Sequence, residues 1–232
     1  MFIKNKKTIR MLGYIMIFIM CLNFSGCSDS DGMTPIQFSG GQQCRLVRIN
    51  FRDYGSVTFR LYKDEEPELV EKFIEACKDG IYDGIPLGNV IEDYILTAGC
   101  DPVDPSYEAG YEHKGKLYPY QGALCAYGSG KDKRNVSAFQ IIGIGKEALE
   151  NLEELIEHEG YTFSDYIKFG YETELTREEL DSFMEYGGAP WLTGHVAVFG
   201  QAYEGLDVLE KVMASYNENE DTEIIIDSIE TD

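Results

Sequence analysis

Six cysteines and three histidines are the residues of this chain best suited to metal or redox chemistry, and their spacing favours neither. Cys44, Cys77, Cys100 and Cys125 lie far apart and form no zinc pattern with His113, His158 or His195. Each sits inside an apolar stretch and reads as a buried thiol, with a disulfide left open for a chain outside the cell. No metal and no other cofactor is expected. The most distinctive chemistry lies elsewhere, in GGAPWLTGHVAVFG at residues 187–200. Two glycines open this stretch, Pro190 precedes the only tryptophan, Trp191, and Leu192 follows it. Such a run holds a rigid aromatic face just ahead of a strand. A face of this kind buries a compact apolar group without demanding hydrogen bonds.

The elements that must position this face follow from periodicity. CRLVRINFRDYGSVTFRLY alternates apolar and polar residues on both sides of Asp53-Tyr54-Gly55, the pattern of a hairpin. PELVEKFIEACKDG places Leu69, Val70, Phe73, Ile74 and Cys77 on one helical face, starting at Pro67 and stopping at Gly80. LGNVI, YILTAG, GALCAY, SAFQIIGIG, HVAVFG and TEIIIDSIE read as further strands, and GLDVLEKVMASY as a second amphipathic helix. Many short strands with two helices predict a mainly β protein, a closed antiparallel barrel capped by helices. Residues 146–186 break the rhythm. They are acidic and helix-prone, and Thr176 with Glu179 fits a capping box. This segment is too small to bury a core of its own and reads as a helical insertion. It is either a lid or partner-docking surface beside a pocket, or a solvated acidic decoration.

The 232 residues suffice for a well-buried core, and a hydrophobic content of 44% excludes a disordered chain. The net charge of −21 repels nucleic acid, and no basic patch interleaved with aromatics offsets it. The N-terminus divides into basic MFIKNKKTIR, apolar MLGYIMIFIMCLNF and then FSGC. The apolar run is short for a membrane span, which needs roughly 20 residues. The layout is that of a secretory signal and resembles a bacterial lipoprotein signal, with Phe24 where that pattern commonly has Leu. The resemblance implies that residues 1–26 are removed, that Cys27 is lipidated, and that residues 27–43 form a polar tether. Two acyl chains would then hold the domain of residues 44–232 on the extracytoplasmic face of the cell membrane.

Read in order, GSVTFRLYKDEEPELVEKFIEACKDGIYDG, NVIEDYILTAGCDP, YPYQGALCAY, SAFQII and GGAPWLTGHVAVFGQAYEGLDVLEKV resemble the cyclophilin family of peptidyl-prolyl isomerases. The resemblance covers most of residues 44–230 apart from the insertion. It implies a closed eight-stranded antiparallel barrel with a helix over each end. It also implies a shallow pocket for the proline ring of an X–Pro segment, walled by Trp191 and Leu192. Trp191 that only packs the insertion onto the barrel is the alternative. Tyr94 and Ile95 keep the aromatic and aliphatic character of the family pocket, while other positions depart from it. Asn89 stands where the family has its catalytic Arg, with Leu87 and Gly88 in place of the preceding Phe and His. Thr97 and Ala138 each match a substrate-binding Gln, and Gln140 matches a pocket Phe beside Phe139. Tyr127-Gly128 replaces an Ala-Asn pair, and Val196 replaces a His, with His195 one place early. Arg134 lies in a stretch that borders the family pocket and reads as a substitute cation or as a solvated charge.

The expected catalytic position is therefore Asn89, and the expected substrate-binding positions are Tyr94, Ile95, Thr97, Tyr127, Ala138, Phe139, Gln140, Trp191 and Leu192. The expected activity is weak isomerisation of X–Pro bonds in unfolded or exported proteins. A catalytically impaired module that binds proline-containing peptides or a partner protein is the alternative.

Overall fold

Strand alternation in the N-terminal third builds the first hairpin. In the computed structural model, which describes residues 34–39, 44–111, 114–128, 132–216 and 223–232, β1 (Arg45–Phe51) pairs antiparallel with β2 (Gly55–Leu61). Val47, Ile49 and Phe51 of β1 and Val57, Phe59 and Leu61 of β2 point to one face and are buried. Onto that face packs α1 (Pro67–Lys78), whose Phe73 ring lies 5.1 Å from Phe199 and meets Phe139 edge-on at 5.7 Å. The remaining strands are β3 (Ile85–Pro86), β4 (Val90–Ile91), β5 (Ile95–Gly99), β6 (Glu108–Gly110), β7 (Ala123–Tyr127), β8 (Lys133–Ile142), β9 (Ala197–Glu204) and β10 (Ile225–Thr231). A last helix, which follows β9 and runs Leu206–Ser215, adds Leu209, Val212 and Met213 to the same core.

All described pairings are antiparallel, in the order β3-β10-β1-β2-β9-β7-β8-β5-β4, with β6 on β8. The expected closed eight-stranded barrel with two capping helices is met, among the described residues, as an open, curled ten-stranded sheet with five α-helices. The path ends in β3 and β4, which are successive pieces of one segment. Pro86 has no N–H to give to the ladder, and Leu87-Gly88-Asn89 then leaves the strand conformation. Leu87 N–H still donates to Ile224 O on one side (2.8 Å), and Gly88 N–H to Thr97 O on the other (2.9 Å).

The opposite face of the sheet carries a second apolar cluster, and here the insertion docks. It holds three helices rather than the two patterns legible in sequence: α2 (Lys146–His158), α3 (Phe163–Tyr171) and α4 (Arg177–Tyr186), so the helix after β9 is α5. The unexpected α3 starts at Thr162, whose hydroxyl accepts from Asp165 N–H at 3.1 Å. The capping box at Thr176 and Glu179 is present in full. Leu149, Ile156, Phe163, Ile167 and Phe183 bury against Tyr120, Ile142, Ile144 and Val198 of the sheet side, so the insertion shares a core instead of owning one.

Residues 1–33 and 40–43, with the expected signal, Cys27 and most of the tether, lie outside the described residues, as does His113. The tether's residues 34–39 are described, and they are fixed to the domain rather than free. Gln37 is only 2% exposed. Its amide donates to Tyr118 O and Gln201 Oε1, both at 2.8 Å, and its oxygen accepts from Tyr118 N–H at 2.7 Å. Phe38 stacks on Tyr186 of α4 at 4.0 Å. The four cysteines from Cys44 to Cys125 are unpaired, with Cys77 and Cys125 buried and Cys44 and Cys100 half-buried.

Because a buried donor left without its partner costs about 1–3 kcal/mol, Gln37→Ala is expected to lower the stability of the domain by roughly 2 kcal/mol in urea unfolding. An unchanged midpoint would show that residues 34–39 contribute nothing to the fold.

Candidate functional site

The stretch that carries Trp191 is held by a backbone only glycine can adopt. Gly187 ends α4 at φ +70°, where a Cβ would sit 2.7 Å from Ile144 O. Gly188 follows at φ +117°, where a Cβ would run into Pro119 O and Tyr120 Cα. The chain therefore passes tightly over residues 119–120 and 144. Gly188 N–H donates to Ile144 O and Ala189 N–H to Pro119 O, both at 2.9 Å. Pro190 then opens a 3-10 turn, Pro190–Leu192, closed by Thr193 N–H on Pro190 O at 3.2 Å. This turn fixes Trp191 and Leu192 on the same side of the sheet as Tyr94 and Ile95, all four belonging to the second apolar cluster.

Strand alternation adds the polar part. On β8, Ala138, Gln140 and Ile142 face this side, while Phe139 and Ile141 face the first core. Thr97 lies directly opposite Gln140, Ile95 opposite Ile142, and Gly99 opposite Ala138. Cys125 of β7 lies opposite Gln140 on its other edge. Burial pushes the Cys125 thiol far above its ordinary value, which removes it as a nucleophile. Asn89 is exposed at the edge, and Thr97 clamps its backbone. The Asn89 N–H donates to Thr97 Oγ1 at 2.7 Å, and Asn89 O accepts from Thr97 N–H at 2.7 Å. The side-chain amides of Asn89 and Gln140 bond to no described residue, leaving both available to a ligand.

Most of the expected positions thus share one side: Asn89, Thr97, Ala138 and Gln140 through the β4–β5–β8 ladder, and Tyr94, Ile95, Trp191 and Leu192 through the apolar cluster. Tyr127 lies at the exposed end of β7. Phe139 does not join them. Fully buried, it packs edge-on against Tyr82 at 5.4 Å and Phe73 at 5.7 Å, because the period-2 alternation that presents Gln140 turns its neighbour inward. Arg134 is neither a loop residue nor a solvated charge. It lies on β8, 5% exposed, with its guanidinium 4.8 Å from the centre of the Tyr111 ring and Nη1–H donating to Lys133 O at 3.0 Å.

Packing of the insertion onto Trp191, the alternative expected from sequence, is present, and the residues that cover the indole come from α3 and the segment after it. The indole is only 6% exposed. Tyr94 lies nearly parallel to it, with centroids 6.4 Å apart, and Tyr171 at the end of α3 lies 5.8 Å away on an interplanar angle of 31°. Thr173 donates to Trp191 O at 3.2 Å, and His195 Nε2 lies 3.1 Å from both Thr173 Oγ1 and Tyr171 O. Trp191 therefore packs the insertion onto the sheet as well as facing the candidate site. No residue pattern in 146–186 marks Tyr171 or Thr173 for this contact, since it depends on where α3 docks. A hydrogen bond to Tyr166 pushes the Tyr171 hydroxyl up to about 12, so it remains a neutral donor at physiological pH. Chemically, the side offers apolar rings, two uncommitted amides and hydroxyls. That is a surface for binding a neutral, apolar group and hydrogen-bonding an amide, without a nucleophile.

Known proteins share this architecture. A Cryptosporidium parvum cyclophilin-type peptidyl-prolyl cis-trans isomerase superposes with a TM-score of 0.52 at 19% identity, over 82% of this chain and 98% of that one. A second structure of that protein, in the presence of the dipeptide Ala-Pro, gives a TM-score of 0.51 over 81% and 98%. At that identity the likeness defines the fold, a cyclophilin fold. Residues 46–231 match the family described as cyclophilin type peptidyl-prolyl cis-trans isomerase/CLD, and this chain belongs to it. Relatives named "Putative peptidyl-prolyl cis-trans isomerase" occur in Staphylococcus aureus and Staphylococcus epidermidis. The first is 28% identical over 82% of this chain and 94% of its own length, the second 29% over 77% and 87%.

Burial pushes the hydroxyls of Tyr111 and Tyr120 up to about 12 from the ordinary 10.0. The folded chain holds these protons more tightly than the unfolded chain. Their stabilisation is complete below pH 10 and is lost as the pH rises through 12. Denaturation midpoints are expected to be flat up to that lower value and to fall above it, in step with delayed phenolate absorbance. A fall that begins well below it would assign alkaline lability to other groups.

Proposed function

We propose that this protein is a slow peptidyl-prolyl cis-trans isomerase that acts on X–Pro bonds of unfolded or exported proteins at the extracytoplasmic face of the cell membrane. The observation that carries the reading is a family match running the length of the sheet, combined with one side on which Trp191, Leu192, Tyr94 and Ile95 adjoin two uncommitted amides.

Rotation about an X–Pro bond is opposed by amide resonance, with a barrier of about 20 kcal/mol. No bond breaks, so a catalyst need only favour the twisted amide. An apolar surface strips water from the carbonyl, which favours the less polar twisted state. A donor near the imide nitrogen stabilises the lone pair that reappears as resonance is lost. Asn89 is the donor in this reading. A charged donor is worth roughly 1.5–3 kcal/mol against about 1 for a neutral one. Asn89 in place of Arg thus costs about two- to thirtyfold in rate. In this reading Gln140 holds the substrate backbone, Thr97 fixes the Asn89 backbone beside it, and Trp191 and Leu192 hold the proline ring.

The N-terminal layout supports export and lipidation at Cys27, with proline-containing segments of other exported chains as the partners. A lipid-anchored chain is expected to incorporate labelled palmitate, and Cys27→Ser to abolish the label and release the protein from the membrane. Label retained in that variant would remove the anchor.

Asn89→Arg is expected to raise turnover of a proline tetrapeptide about two- to thirtyfold in a protease-coupled assay, with little change in KM. A second reading, a binding module without turnover, draws on the sealed indole and the missing cation. It wins if wild type and Asn89→Arg are both inert while Trp191→Ala abolishes proline-peptide binding.

A further inference from the structure

We propose that residues 171–173 of the insertion form a displaceable cover over the Trp191 surface, latched by His195, and that proline segments enter only when this cover lifts. The inference rests on the reading of Trp191 as a proline wall.

The latch is a short chain of hydrogen bonds. His195 Nε2 lies 3.1 Å from Thr173 Oγ1 and 3.1 Å from Tyr171 O, and the Thr173 hydroxyl donates to Trp191 O at 3.2 Å. Tyr171 completes the closure with its ring 5.8 Å from the indole. A proline ring would take the same kind of place on the same aromatic face, so cover and substrate compete for it.

The segment is built to move without unfolding its neighbours. The helix before it ends at Tyr171, because Glu172 adopts the left-handed region at φ 56° and ψ 29°. The helix after it is started independently by the Thr176 capping box. The residues between belong to neither. A cavity of about 200 Å³, lined by Thr173 together with Ser164, Ile167, Leu175 and Leu180, leaves space beside the segment. His195 and Tyr171 are exposed, so the rim of the latch is open to competition from water and ligand, while Thr173 at its centre is buried. Each hydrogen bond of the latch is expected to shift the closed-to-open ratio by roughly fivefold. The apparent affinity for a proline segment falls by the same factor that the cover is closed.

Trp191 is the only tryptophan, so its fluorescence reads the cover directly in the full-length protein. Thr173→Val and His195→Ala are each expected to increase acrylamide quenching of Trp191 and to raise turnover of a proline tetrapeptide by about fivefold. Tyr171→Ala is expected to raise quenching further, and circular dichroism checks that its fold is kept. Should that variant misfold, the two latch variants carry the test. Unchanged quenching in both overturns the cover, as does raised quenching with unchanged turnover in an active wild type. A loss of proline-peptide affinity in folded Tyr171→Ala also overturns it, since Tyr171 would then be a wall. Raised quenching in variants that, like the wild type, bind no proline peptide upholds the cover and overturns the isomerase reading.

Discussion

The backbone at Gly187 and Gly188 is the constraint on which the site depends. Two left-handed residues in succession press the chain against residues 119–120 and 144 so closely that a Cβ at either position collides with a carbonyl. That approach joins α4 to the sheet and delivers Pro190 and Trp191 at a fixed angle. Both rings that meet the indole, Tyr94 and Tyr171, find it where this crossing puts it. A looser connection would leave the insertion hinged and the tryptophan without a defined face.

The electrostatics of the site are notable for restraint. The chain carries a large negative charge, yet the side bearing Trp191 presents amides, hydroxyls and rings. Arg134, the cation that borders this region in sequence, is turned inward over Tyr111. Catalysis of a rotation does not require ionised groups, since no proton is transferred and no nucleophile attacks. What it requires is exclusion of water from the carbonyl and a donor near the nitrogen. Neutral groups can meet that requirement only at reduced strength, which is the physical basis of the proposal that turnover is slow.

The insertion links fold and site. It has too few apolar residues to fold alone, so its five buried apolar side chains must find partners on the sheet. The face they find is the face that carries the site. The N-terminal segment reinforces the same junction, with Gln37 bonded to Tyr118 and Gln201 and Phe38 stacked on Tyr186. Domain stability and access to Trp191 are therefore coupled through shared packing, and a change in how α3 and α4 seat alters both.

The residues themselves were enough to assign the first hairpin, α1, the last helix, the capping box at Thr176 and the block around Trp191, because alternation, helical spacing and glycine placement are local signals. The family resemblance singled out Asn89, Thr97, Ala138 and Gln140, and the structure sets them on or beside paired strands. The residues themselves did not separate Phe139 from Gln140, because which face of a strand meets which core is set by register. They did not find α3, whose aromatic-rich sequence carries weak helical preference and is stabilised by docking. Nor did they reveal that residues 34–39 are fixed, that Arg134 is buried, or that Tyr171 and Thr173 lie on Trp191. Local pattern determined which elements form and which residue types the site contains. Long-range packing alone decided which of those residues face each other and that the indole is covered, because those contacts join segments far apart in the chain and leave no periodic trace in it.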